Sequence, residues 1–345
     1  MTMLQISSFA GRSTPILASA LLLFALGGCS VFEGDDGDPG PAGPTGEQGD
    51  PGPSYGPTTS ITITVDSVTI GAPPKPVVEL TVKNQDGNPF AGLAEGDLRF
   101  NLAKLTAEMN GNPSFWQNYI TRGDGEAQEA SQERFNRPNQ PWGTWVNHLD
   151  GTYTYTFATD LANAPCTDPC TDADGKPLNL SYEPGKTHRL GIQLGNAEFG
   201  RNNTTYDFVP TGAAVTAMRD IVKTANCNEC HNTLRIHGSR VETKFCVTCH
   251  NPGSWVADTP NTTVDFKVYI HKIHRGADLA QQPYTIGSDD FSDVHFPQDI
   301  RNCTNCHDDG DPETPDAGNY LTVPTREACG SCHDEVDFET GSGDR

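Results

Sequence analysis

Four times in the C-terminal part of the chain, two cysteines separated by two residues are followed at once by histidine. The units are Cys227, Cys230 and His231; Cys246, Cys249 and His250; Cys303, Cys306 and His307; and Cys329, Cys332 and His333. They crowd into residues 211–345, a stretch with few continuous apolar runs. Such a stretch cannot bury enough side-chain carbon to offset its ordering entropy. It must therefore fold around something large and apolar that the chain itself does not supply.

CxxCH is the attachment signature of c-type haem. The two thiols add to the vinyl groups of the macrocycle, and the histidine lies against the iron. Four such units imply four covalent haem c groups, with His231, His250, His307 and His333 as proximal ligands. Zinc is the competing reading, because paired CxxC units also build zinc ribbons. Zinc does not require a histidine after every pair, and here every pair has one.

The cysteine count closes on this assignment. Of eleven cysteines, eight lie in the four units. Cys29 follows an N-terminal apolar run, and Cys166 and Cys170 share the polar loop APCTDPCTD. In an oxidising compartment these last two are expected to pair as a structural disulfide, with a redox-switchable bridge as the alternative.

The second axial ligand separates electron transfer from catalysis. Outside the motifs, residues 211–345 hold four more histidines: His237, His271, His274 and His295. Four spare imidazoles for four irons suggest bis-histidine ligation throughout, with no open coordination position. His271 and His274 lie three apart on an expected amphipathic helix starting at Val264, close enough to share a face and serve two different haems. His237 is only six residues past His231, so it is expected to cap a neighbouring haem.

The apolar run Ile16–Leu26 is too short for a bilayer span, which needs about 20 residues, and reads as the h-region of an export signal over residues 1–28. It ends in LGGC, which resembles a bacterial lipobox, so Cys29 is expected to carry a lipid anchor. Residues 34–54 place glycine at every third position, the collagen signature. Residues 29–56 are expected to form an extended acidic spacer beyond the anchor, with a trimeric stalk as the alternative. The formal net charge of −22 argues against nucleic acid and anionic lipid as partners. It favours cationic metal complexes and positively charged oxide surfaces. Residues 308–345 concentrate the charge, with eleven acidic residues against Arg326 and Arg345. A field of that sign is expected to lower the potential of the fourth haem.

Residues 57–210 alternate with period two. Ile61, Ile63 and Val65; Val78, Leu80 and Val82; Leu98, Phe100 and Leu102; Tyr153, Tyr155 and Phe157; and Leu190, Ile192 and Leu194 each alternate with other residues. Turn pairs such as Asp86-Gly87 and Asp150-Gly151 separate the runs. The expected fold is an antiparallel β-sandwich or barrel, followed by a haem-packed, mostly irregular and helical multihaem domain over 211–345. DGTYTYTF resembles a tyrosine corner, with Tyr153 as the corner residue. His148 and His188 lie in this region and read as structural or surface residues.

The stretches CVTCHNP, VDFKVYIHKIHRG, FSDVHFPQDIRNCTNCH and REACGSCHDEVDF resemble the first multihaem domain of the outer-membrane decahaem cytochromes of the OmcA/MtrC family. The resemblance spans roughly residues 217–340. It implies a cell-surface position, electrons received from a porin–cytochrome conduit, and delivery to ferric minerals, soluble metal complexes or flavins. The family continues to a fifth CxxCH and a second β and haem domain pair, whereas this chain ends at GSGDR. Two other function classes stay open: a multihaem reductase of a small nitrogen compound, which needs one open haem, and a stalk or filament subunit built on the glycine triplets.

Overall fold

The computed structural model describes residues 58–343, except 108–112, 124–126, 167, 169 and 257–261. The export segment, Cys29 and the glycine-triplet spacer lie outside the described residues. The described residues lie within one compact unit.

Ten strands come first: β1 (Ile61–Ile70), β2 (Pro76–Asn84), β3 (Leu98–Thr106), β4 (Phe115–Asn118), β5 (Thr121–Gly123), β6 (Ala127–Ala130), β7 (Thr144–Asn147), β8 (Thr152–Thr156), β9 (His188–Leu194) and β10 (Asn203–Phe208). Two four-stranded antiparallel sheets, β1-β2-β8-β7 and β10-β9-β3-β4, share one apolar core. Every residue of the five alternating runs belongs to that core. The register explains why: Leu80 faces Tyr153 and Val78 faces Tyr155 in one sheet, while Phe100 faces Ile192 in the other. Side chains of one parity then all point to one face. Across the core, Phe100 stacks on Tyr155 with ring centroids 4.0 Å apart, a contact worth about 1 kcal/mol beyond its burial.

The Asp150-Gly151 pair forms the β7–β8 turn, where Gly151 has φ 92° and Leu149 φ 65°. Tyr153 is not a local corner residue. Its hydroxyl donates to the Phe90 carbonyl at 2.8 Å and accepts from the Leu93 amide at 3.2 Å, about sixty residues upstream. The register with Leu80 turns it into the core, where it meets the loop after β2. His188 is a buried structural residue: Tyr119 Oη lies 3.0 Å from its Nε2 and the Lys186 carbonyl 2.8 Å from its Nδ1.

The second sheet departs from simple alternation. β9 is buried at every position and β3 nearly so. Its outer face carries Asn101, Arg189 and Gln193, all within 1% of complete burial. The cover is residues 239–251, the segment holding the second CxxCH unit. Among the described residues, the later part of the chain contributes short helices: α1 (Thr224–His231), α2 (Thr243–Cys246), α3 (Phe266–Arg275), α4 (Asn319–Thr322) and α5 (Arg326–Gly330). Two further strands, β11 (Trp255–Val256) and β12 (Thr262–Thr263), extend β5 and β6 into a third sheet, order β12-β11-β6-β5. That sheet stitches the haem-motif segment to the sandwich. No described helix is long and apolar enough to cross a membrane.

Candidate functional site

In each CxxCH unit a helical turn sets the geometry. The histidine amide donates to the first cysteine carbonyl at 2.9 Å for His250 and His307 and at 3.0 Å for His333, and the first unit lies within α1. One turn brings positions i, i+3 and i+4 to a common face, so two sulfurs and one imidazole converge. None of the eight motif cysteines is in a disulfide. Cys166 and Cys170 are joined instead, with Cα atoms 5.4 Å apart.

The histidines come together in twos. His250 and His237 lie with ring centroids 6.2 Å apart and planes 12° from parallel. His307 and His271 are also 6.2 Å apart, at 19°. His231 and His274 are 6.0 Å apart, at 69°. Each pair joins one motif histidine to one outside the motifs. Centroids at this distance are too far apart for ring stacking contact but leave room for one metal atom between two ring nitrogens. Among the described residues, no three His, Cys, Asp or Glu side chains converge to hold a metal ion, as a zinc ribbon would require.

Three Nδ1 atoms are engaged by backbone carbonyls. His250 donates from Nδ1 to the Val264 carbonyl at 3.0 Å, His271 to Lys267 at 2.6 Å and His274 to Ile270 at 2.8 Å. With Nδ1 carrying the proton, Nε2 keeps its lone pair, the tautomer a metal-ligating imidazole needs. Burial holds these rings neutral. His250 is pushed down to about 4, first by desolvation and then by His237 and Arg240, while the Val264 carbonyl opposes the shift. Burial also lowers His271, His274 and His307. The residues present fit a bis-imidazole haem at three of the four units.

Helix α3 explains how one element serves two pairs. It runs Phe266–Arg275, two residues later than the expected start. His271 faces His307 and His274 faces His231, because a separation of three turns the rings by a partial step around the helix. His237 reaches His250 from a tight turn in which Ile236 and Arg240 exchange both backbone hydrogen bonds, at 2.9 and 3.0 Å. The turn holds His237 at φ 49° and Gly238 at φ 83°, so the imidazole leaves the loop toward the second unit. His295 and His333 are not in ring contact among the described residues. Both are exposed, and His333 Nδ1 lies 4.0 Å from Glu335.

Sequence reasoning missed the residues that dock this site on the sandwich. Asn101 donates to Thr248 Oγ1 at 2.8 Å and reaches Cys249 Sγ at 3.5 Å. Asn118 donates to the Thr248 carbonyl at 3.1 Å. Arg189 pairs with Asp207 at 2.7 Å and Asp220 at 2.9 Å, and lies 4.2 Å over the Trp116 ring. Lys244 reaches the same Asp220 at 3.1 Å. The available signal was a row of long polar residues at the outward positions of apolar strands. That signal reads equally well as a solvated face.

Residues 219–344 match the family described as outer membrane cytochrome MtrC/MtrF-like, domains II/IV. A multiheme cytochrome MtrC of Shewanella baltica (strain OS185) is 32% identical over 282 residues, covering 78% of this chain and 36% of that protein. The crystal structure of the outer membrane decaheme cytochrome OmcA superposes with a TM-score of 0.65 at 25% identity, over 81% of this chain and 44% of that one. The crystal structure of MtrC from Shewanella baltica OS185 gives 0.59 at 28% identity, over 82% of this chain and 41% of that one. The chain thus spans less than half the length of each of these three proteins.

Proposed function

The chain is an MtrC/OmcA-like multihaem cytochrome, and from that premise we propose that it binds four haem c groups and passes electrons at the outer surface of the cell. The single observation that carries the reading is the set of three imidazole pairs about 6 Å apart. Bound haem supplies a reversible one-electron iron couple. The chain's residues do the rest. Cys227 and Cys230, Cys246 and Cys249, Cys303 and Cys306, and Cys329 and Cys332 fix each macrocycle covalently. His231 with His274, His250 with His237, and His307 with His271 would hold three of these haems as paired imidazole ligands, leaving no coordination site for substrate there. Backbone carbonyls on Nδ1 lock three of these rings, so little reorganises when the charge changes.

The proposal extends to position and partners: export, a lipid anchor at Cys29, electrons received from a porin–cytochrome conduit, and metal oxides, metal complexes or flavins as acceptors. The similarity to outer-membrane cytochromes supports it. The domain division at about residue 210 is proposed on the same basis. A second reading draws on the fourth unit alone. Exposed His333, with His295 not against it, would leave an open position suited to nitrite or hydroxylamine.

One experiment on the mature, full-length protein tests both. Dithionite-reduced protein is mixed with ferric citrate and, separately, with nitrite or hydroxylamine, and absorbance reports oxidation. The proposed function requires oxidation of all four haems by ferric citrate with no turnover of the nitrogen compounds. Turnover of nitrite or hydroxylamine would favour the second reading, and protein inert to ferric citrate would contradict the first.

A further inference from the structure

One patch on the outer face of the second sheet gathers positive charge. Arg99 on β3 stands opposite Gln193 of β9 in the register. The Phe100–Glu133 bridge runs antiparallel, which places Arg134 beside Arg99. Arg240 arrives from the His237 turn. Its Nε donates to Gln193 Oε1 at 3.2 Å and its Nη2 to Gln132 Oε1 at 3.2 Å. Burial, and after it the charges of Arg134, Arg240 and Arg137, together depress Arg99 to about 10. Arg134 is lowered too, by burial first and then by Arg137, Arg240 and Arg122.

Among the described residues, neither Arg99, Arg134 nor Arg240 makes an ion pair, and the partners of Arg240 are neutral amides. Glu133, between Gln132 and Arg134 in the chain, turns to the opposite face. There it accepts from the Tyr155 hydroxyl at 2.5 Å, the Thr159 amide at 2.8 Å and the Ala158 amide at 3.0 Å. Arg99 Nε is buried without a hydrogen-bond partner. A buried guanidinium donor left unmatched is costly and needs a reason. Shortage of acid is not the reason, because the chain has 45 Asp and Glu against 23 Lys and Arg. The patch also adjoins a ligand pair: Arg240 closes the turn that carries His237, exchanging both backbone hydrogen bonds with Ile236.

We infer that Arg99, Arg134 and Arg240 form a carboxylate clamp at the seam between the sheet and the second CxxCH unit, and that it takes the propionates of a haem held between His237 and His250. The inference rests on the haem reading above. Guanidinium is the side chain suited to this role, because its planar fork matches a carboxylate with two parallel hydrogen bonds. A clamp of net positive charge favours the ferrous over the ferric state, since reduction removes one positive charge. It would raise the potential of that one centre. The same chemistry could be met by an external carboxylate, and the test separates the two sources.

The test is a redox titration of the purified full-length holoprotein followed by EPR, with haem content measured alongside. Wild type, Arg99→Gln, Arg240→Gln and Arg99→Lys are compared, each with and without millimolar citrate. The clamp requires a downward shift of one midpoint in Arg99→Gln and Arg240→Gln with the remaining midpoints unmoved. Arg99→Lys should restore most of the shift. Citrate should move nothing in wild type. If Arg99→Gln loses one haem, Arg99→Lys must keep it; loss in both assigns Arg99 to packing and overturns the proposal. Unchanged midpoints with full haem content overturn it as well. A wild-type shift with citrate, absent in Arg99→Gln, overturns the propionate assignment in favour of an external anion. Absence of covalent haem in wild type would instead refute the haem reading itself.

Discussion

The sandwich and the haem-motif region solve the burial problem in opposite ways. Among the described residues, the first 209 positions contribute twenty-six buried apolar side chains, and the rest of the chain seven. Both apolar core clusters belong to the sandwich, and the later region adds only Val247 at the edge of one. Of the seven, Phe245 and Cys249 pack against the sandwich. The later region is ordered by short turns, by polar docking on β3, β4 and β9, and by imidazoles facing each other in pairs. The difference teaches that half of this molecule carries its own core, while the other half is a frame whose core arrives with the cofactor.

The largest effect expected from this contrast follows haem removal. Chain made in a cytoplasm without haem attachment should keep amide protection in β1–β3 and β8–β10. It should lose protection over most of residues 252–343, as measured by hydrogen exchange with peptide resolution. Segment 239–251 should keep partial protection, because the sheet covers it. Uniform protection across both regions would break the comparison.

Within the sandwich, Phe100→Ala removes a fully buried ring stacked on Tyr155 and should cost about 3–5 kcal/mol in chemical denaturation. Leu321→Ala, at a side chain 66% exposed in the later region, should change stability by less than about 0.5 kcal/mol.

Next in size is a pH effect. Burial pushes His188 down to about 4 from 6.5, so the folded sandwich holds this ring neutral while the unfolded chain takes up a proton. Its contribution is fully present above pH 6.5 and is lost as pH falls toward 4. The loss should amount to at most about 3 kcal/mol. Urea unfolding between pH 7 and 4 measures it, and His188→Gln should flatten that slope.

The most local expected effect concerns docking. Asn101→Ala deletes the donor to Thr248 and should cost about 1–3 kcal/mol, most of it from the buried hydroxyl left with one partner fewer. It should raise exchange in residues 243–251 while leaving β1 and β2 unchanged. Equal loosening of all strands would mean that the seam is no separate feature.

Much of this was legible in the sequence, for physical reasons that differ by region. A period of two with β-branched and aromatic residues marks strands because only one face meets the core, and all five runs occupy it. What periodicity could not show is the second buried face. Arg189 and Gln193 alternate with leucine and isoleucine as solvated residues would, yet segment 239–251 covers them, and that cover comes from about fifty residues downstream. His271 and His274 were legible as neighbours that could face two different partners, because helix geometry fixes their separation. The partners of those histidines, His307 and His231, depend on loop paths that no local pattern encodes. His237 against His250 depends on a left-handed backbone at His237 itself. Arg240 carried no motif at all.

Imidazoles that meet in pairs about 6 Å apart should ligate iron from both sides, and low-temperature EPR of the fully oxidised mature protein measures this. Wild type should show low-spin ferric signals from the centres at His231, His250 and His307. His237→Ala, His271→Ala and His274→Ala should each convert one centre to high spin, a different one in each variant. Retention of every low-spin signal in these three variants, or conversion of the same centre by two of them, would contradict the pairing.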